Sequence, residues 1–301
     1  MKNYPFYLLI LLIYSVSISA FVDEMLPGIY VHIGKHLDVD EGYDGDICNF
    51  GFIVGDKAIA VIDSGGSYET ALKLKKYIDE HYKKPIKYLI NTHPHLDHIY
   101  GNIVFDSATI IGHQNLIKGV MSRRDIYHRL NGKYLGKISA KQSPLVLPSE
   151  LVPINQPLDI DLGGRKITLT AYREAHTEAD LTVYDHQSKT LWTGDLVFRE
   201  RTPVIDGNIH GFIEVLQGLA NEDIQLVIPG HGKPASKKLS FDPILKYLVV
   251  LRDDIRKLID EGHSLEYAIE NAAASERGKW LLFDIQNKRN VNMIYPMMEW
   301  E

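Results

Sequence analysis

The chain has 301 residues, 45% of them hydrophobic and 24% charged, a balance that suits a folded α/β protein and excludes an extended disordered one. Its formal net charge of -6 and pI of about 6.1 leave no broad basic field, so no nucleic-acid partner is expected. A lone cysteine, Cys48, excludes an intramolecular disulfide, so the fold must hold without one.

Residues 1–20, "MKNYPFYLLILLIYSVSISA", join one lysine to a short apolar run and then to small residues ending at Ala20. That is the layout of a secretory signal peptide, so a periplasmic or secreted chain is expected, with no stable membrane insertion after cleavage. The alternative is an uncleaved anchor, because the run approaches spanning length without supplying a clean apolar span.

After the leader, "GIYVHIG", "CNFGFIVG" and "AIAVIDSGG" are short β-rich runs separated by Gly and Asp turns, which predicts a strand meander. "SYETALKLKKYIDEHY" then spaces Ala71, Leu72, Leu74, Tyr77 and Ile78 for a helix, with Ser67 as its cap and Glu69 in its first turn. "IKYLI" returns to a buried strand and runs into "NTHPHLDHIYGN". This β-helix-β order predicts a layered α/β architecture.

Residues 106–156 are less regular and read as an insertion over one face, with a helix through "QNLIKGVMSRRDIYHRLNG" whose lysines and arginines are expected on a solvated side. Strands resume at "KITLTAY", "LTVYDH" and "KTLWTGDLVF". Residues 21–240 are expected to form the main domain and 241–301 a helical extension. In that extension Asp242 caps, Pro243 occupies the first turn, and Ile244, Leu248, Leu251, Ile255 and Leu258 make one apolar stripe up to Gly262. Ser264 starts a further helix. Such a stripe is expected to pack as core rather than to close over a substrate as a lid.

The chemistry concentrates at strand ends. His93 and His95 are two apart and leave the same face of an extended segment, while Asp97 and His98 follow a turn. His176 in "EAHTEADLTVY", Asp195 in "LWTGDLVF" and His231 in "LVIPGHGKP" repeat the pattern of an apolar strand followed by a ligand-type residue. Imidazole and carboxylate without thiolate suit zinc, with iron or manganese as alternatives. Seven such groups overfill a tetrahedral site, so two ions are expected. His113 is expected to be solvated or to cap the core, Tyr100 to pack, and His210 is open between a site contact and a surface residue.

The ordered set "HPHLDH", "AHTEAD", "TGD" and "PGHG" resembles the metallo-β-lactamase superfamily over roughly residues 28 to 235. The resemblance implies a four-layer αββα sandwich in which His93, His95 and His176 hold a first Zn2+, Asp97, His98 and His231 a second, and Asp195 bridges them. It also implies a hydroxide shared by two ions, which Asp97 orients as the catalytic carboxylate. Class B β-lactamases carry Cys or Ser where this chain has Asp195, so the implied bond is an ester, thioester or related acyl bond of a small-molecule substrate. "GKHLDVDEGYDGDICNFGFIVG", "TPVIDGN" and "NKRNVNMIYPMMEWE" further resemble exported zinc metallohydrolases found with quinoprotein dehydrogenase systems. A class B-like β-lactamase and a non-catalytic, exported metal-binding accessory protein are the competing expectations.

Overall fold

The computed structural model describes residues 21–38 and 43–301; the signal peptide expected over 1–20 lies outside the described residues. Among the described residues four antiparallel strands come first, β1 (Asp23–Leu26), β2 (Ile29–His32), β3 (Phe50–Val54) and β4 (Ile59–Ile62). Helix α1 (Tyr68–His81) then crosses over to β5 (Ile86–Ile90), which lies parallel to β4. The Ser67 side chain accepts from Thr70 N at the start of α1, and Ala71, Leu74 and Ile78 turn its apolar stripe inward.

The stretch expected as an insertion contributes two strands to the same sheet. β6 (Thr109–His113) pairs parallel with β5, and β7 (Glu150–Val152) pairs parallel with β6, completing a seven-stranded sheet ordered β1 to β7. The one-turn helix α2 (Leu96–Ile99) precedes β6, and only α3 (Leu116–Tyr134) and α4 (Gly136–Gln142) lie outside the sheet as an excursion. The second sheet contains β8 (Leu158–Asp161), β9 (Lys166–Ala171), β10 (Leu181–Asp185), β11 (Thr190–Phe198) and β12 (Leu226–His231), in the order β12-β11-β10-β9-β8. Helix α5 (Ile209–Ala220) joins β11 to its parallel neighbour β12.

Three apolar layers make the four-layer sandwich explicit. Ile53, Ala60 and Ile62 of the first sheet meet Leu169, Val183 and Trp192 of the second in the middle. Phe52, Val61 and Leu89 pack beneath Leu74 and Ile78 of α1 on one outside face. On the other, Leu191 and Val197 pack beneath Phe212 and Leu216 of α5 and Leu248 and Leu251 of α6 (Lys237–Asp260). At roughly 1.5–3 kcal/mol for each fully buried aliphatic side chain, these layers supply the drive that disulfides do not. Arg165 closes one end of the sandwich by donating to both Asp185 carboxylate oxygens and to the Pro27 and Val54 carbonyls, tying the two sheets together.

The C-terminal helices pack against this sandwich. α6 begins at Lys237 after Ser236, earlier than expected, so Pro243 lies inside it rather than in its first turn. Proline cannot donate to the Leu239 carbonyl one turn back, and Arg199 Nε donates to that oxygen instead, at 3.3 Å. The stripe from Ile244 to Ile255 is buried as expected, and Ser264 caps α7 (Leu265–Asn271) by accepting from Tyr267 N. A last helix, α8 (Phe283–Glu299), buries Val291, Ile294 and Met298 together with the polar Gln286, Asn287 and Asn290.

Candidate metal centre

The seven ligand-type residues named from the sequence arrive at one end of the sandwich, where the two sheets meet. The turn after β5 carries His93 and His95, and α2 carries Asp97 and His98, one helical turn rather than an open loop. The β9–β10 connection brings His176, while β11 and β12 bring Asp195 and His231. Asp195 lies within its strand, not beyond it, at a register shift beside Gly194. Gly194 has φ 49°, and a Cβ there would stand 2.4 Å from Thr92 Oγ1. Gly230 is equally constrained, since its Cβ would fall 1.9 Å from Asp195 Oδ1.

The Asp195 carboxylate sits at the middle. Its oxygens lie 3.6 Å from His93 Nε2, 3.2 Å from His98 Nε2, 3.5 Å from His176 Nε2 and 3.3 Å from His231 Nε2. The Asp97 Oδ2 atom is 3.6 Å from His98 Nε2 and 3.5 Å from His231 Nε2. His95 turns its Nδ1 inward, 3.1 Å from His176 Nε2. Thus His93, His95 and His176 gather on one side of Asp195, while His98 and His231 gather with Asp97 on the other.

The outward nitrogens explain the orientation. His93 Nδ1 is 3.0 Å from Thr92 Oγ1, whose own proton goes to Asp63 Oδ2. His95 Nε2 donates to Asp206 Oδ2 at 3.0 Å, His98 Nδ1 to Asp63 Oδ2 at 2.8 Å, His176 Nδ1 to the Val204 carbonyl at 2.8 Å and His231 Nδ1 to the Ile47 carbonyl at 2.7 Å. These acceptors take the proton of each outer nitrogen and turn the other nitrogen of all five rings inward. His95 Nδ1 and His176 Nε2 face each other at 3.1 Å, a separation that one shared proton or a cation bridges. Within this cluster His93 Nε2, His98 Nε2 and Asp195 Oδ1 are buried with no hydrogen-bond partner among the described residues.

Charge follows the same division. Burial, reinforced by the neighbouring His98, holds the His93 imidazole well below its ordinary pKa, and burial lowers His176 to about 4, so both are neutral and able to ligate. Burial opposes a proton on His98 too, but Asp195, Asp97 and Asp63 outweigh it and push that imidazole well above its ordinary value. The carboxylates that attract this proton would attract a divalent ion in its place. Nitrogen and oxygen donors, three unpartnered buried atoms and fixed tautomers together fit divalent ions such as zinc. Cys48 lies beside Asp97 and His98, but burial raises its pKa and its thiol donates to the Asp97 carbonyl at 2.9 Å, the behaviour of a packed thiol.

Three supports of the site had no advance reading in the sequence, namely Asp63, Asp206 and Thr92. Asp63 directly follows β4 in "VIDSGG" with φ 55°, the same strand-end placement that marks the ligand-type residues. The other histidines fall elsewhere. His113 is buried, accepting from Asn115 N and donating to the Tyr172 carbonyl, and His210 is at the surface beside Glu301. Tyr100 is buried in an apolar cluster with Leu96 and Leu116.

Comparison with known proteins bears on the family and the fold. The sequence profile of the metallo-beta-lactamase superfamily matches residues 43–231. A probable metallo-hydrolase of Methanocaldococcus jannaschii is 29% identical over 204 residues, covering 64% of this chain and 90% of that protein. Another, from Streptococcus pyogenes serotype M6, is 26% identical over 192 residues, covering 60% of this chain and 77% of that protein. Among solved structures, a metallo-beta-lactamase from Pontibacter korlensis superposes with a TM-score of 0.58 at 18% identity, over 76% of this chain and 98% of that one, a likeness of fold.

Proposed function

Because the chain belongs to the metallo-β-lactamase superfamily, we propose that it is an exported hydrolase that uses two divalent ions, zinc before iron or manganese, to cleave an ester, thioester or related acyl bond of a small molecule. The observation that carries this reading is the ring of five inward-facing imidazole nitrogens around Asp195 and Asp97, each with its outer nitrogen committed to an acceptor. His93, His95 and His176 would hold one ion, Asp97, His98 and His231 the other, with Asp195 shared. Bound divalent ions would supply a hydroxide nucleophile at neutral pH and polarise the scissile carbonyl.

The chain's own groups do the rest. Asp195, enclosed by four imidazoles, keeps the two ligand groups at a fixed separation. Asp97, on the rigid turn of α2, orients the attacking water and accepts its proton. The outer acceptors hold each ring in place so that little reorganisation accompanies reaction. No serine or cysteine nucleophile is required, and Cys48 is occupied by the Asp97 carbonyl.

An aspartate at 195 supports the acyl bond over a β-lactam, and the leader-like residues 1–20 support a periplasmic or secreted location. The resemblance carried by "TPVIDGN" and the C-terminal tail supports a setting beside quinoprotein dehydrogenases. The test is elemental analysis of the purified chain joined to a screen of thioesters, lactones, phosphodiesters and the β-lactam nitrocefin. Metal content with fastest turnover on an ester or thioester is expected. Nitrocefin turnover above every acyl substrate would replace the acyl assignment by a lactamase, and metal content with no turnover would favour an accessory protein.

A further inference from the structure

The basic run of α3, expected to be a solvated face, contains one arginine that turns inward. Arg123 Nε donates to Asp206 Oδ2 at 3.1 Å, and Nη2 donates to the same oxygen at 2.7 Å and to Glu178 Oε2 at 2.9 Å. Its Nη1 donates to Glu178 Oε1 at 2.6 Å and to the Gly119 carbonyl at 3.0 Å. These contacts match all five N–H groups of a guanidinium, so none is left over for a substrate anion. The oxygen that receives two of them, Asp206 Oδ2, is also the acceptor for His95 Nε2.

His95 differs from the other four imidazoles. It alone points Nδ1 inward, an orientation that requires the proton on Nε2 and an acceptor fixed beyond it. The segment that provides this acceptor also serves His176. The Val204 carbonyl takes the His176 Nδ1 proton, and Asp206 N donates to the His176 carbonyl at 2.9 Å. We propose that Arg123 is a positioning residue for the His93–His95–His176 group: its fork immobilises Asp206 and thereby selects the His95 tautomer that presents Nδ1. The inference rests on the metal-centre reading above. A lysine cannot reproduce it fully, because an ammonium lacks the planar fork that grips two carboxylates at once.

The test is zinc titration of the metal-stripped full chain against a chromogenic chelator, comparing wild type, Arg123→Met, Arg123→Lys and, as a control on the same helix, the exposed Arg124→Met. Arg123→Met is expected to weaken one binding step about ten- to a hundredfold and leave the other within about twofold. Arg123→Lys should recover part of the loss, millimolar guanidinium should restore Arg123→Met, and Arg124→Met should match wild type. Two unchanged steps in Arg123→Met would overturn the proposal. So would equal weakening of both steps accompanied by a lower melting temperature of the metal-free chain, which would mark a purely structural role. A wild-type chain with no zinc step at all would instead remove the metal-centre reading on which the proposal stands.

Discussion

Asp63 accepts the Nδ1 proton of His98 at 2.8 Å from a backbone position with φ 55°, and the same carboxylate accepts from Thr92 N and Thr92 Oγ1. One residue at the end of β4 therefore orients a histidine from each ligand group, His98 directly and His93 through Thr92. Asparagine tolerates this left-handed conformation better than alanine, so Asp63→Asn tests the carboxylate with little backbone penalty. The variant is expected to lower zinc affinity about ten- to a hundredfold at the Asp97–His98–His231 group, with a smaller effect at the other. Competition titration of the metal-stripped chain measures both, and unchanged affinity would remove Asp63 from the site.

Residues close in both sequence and space were legible from spacing, whereas His176, Asp195 and His231 were legible through the repeated strand-then-ligand pattern and the family resemblance. His93, His95, Asp97 and His98 share one turn and one helical turn after β5, so their convergence could be read from spacing alone. The Ser67 cap and the stripe of α6 were legible for the same local reason. Asp206 and Arg123 were not, because Asp206 meets His95 across 111 positions and Arg123 meets Asp206 across 83, and no local pattern encodes such a pairing. Within the expected helical extension, the bounds and buried face of α8 were hidden differently. Its buried face includes Asn290, which accepts from Ile205 N and donates to the Pro203 carbonyl, and Asn287, which donates to the Ala272 carbonyl. Polar residues at core positions break the hydrophobic period that identifies a helix. Strand β7 has only Val152 buried, too little signal to separate it from a loop.

The two ligand groups should respond differently to pH. An imidazole must be neutral to ligate, and His93 and His176 are already held neutral by burial, His176 down to about 4. His98 is raised, so an ion entering its group displaces a proton. Affinity at that group is therefore expected to fall about tenfold per unit as pH drops below the raised pKa, whereas His93 and His176 have no proton to give up to an ion near neutral pH. Zinc titrations at several pH values, with proton release followed in weak buffer, check this; equal slopes for the two steps would contradict the assignment.

The helical tail should act on stability. Leu251 is fully buried between α6 and the second sheet, and Leu251→Ala is expected to cost about 2–5 kcal/mol by lost burial and a residual cavity. Urea denaturation of the metal-loaded chain measures it. Zinc stoichiometry and turnover at low denaturant should match wild type, because Leu251 is not among the residues that meet the centre. Unchanged stability with altered turnover would instead support a lid.

Asp97 and Asp195 should separate catalysis from assembly of the centre. Asp195 approaches both ligand groups, so Asp195→Ala is expected to loosen both ions and abolish turnover as a consequence. Asp97 approaches only His98 and His231 among the imidazoles. Asp97→Asn keeps the side chain's size and one carbonyl oxygen but removes the charge that accepts a proton from the attacking water. Zinc should weaken at one group only, and with saturating zinc kcat should remain depressed by about a hundredfold or more while KM changes little. That split follows from Asp97 acting on the nucleophile and not on the substrate. Steady-state kinetics on the best ester or thioester, at zinc concentrations that fill both steps, measure it. Recovery of wild-type kcat on adding zinc would reduce Asp97 to a ligand, and a rise in KM at constant kcat would make it a substrate contact.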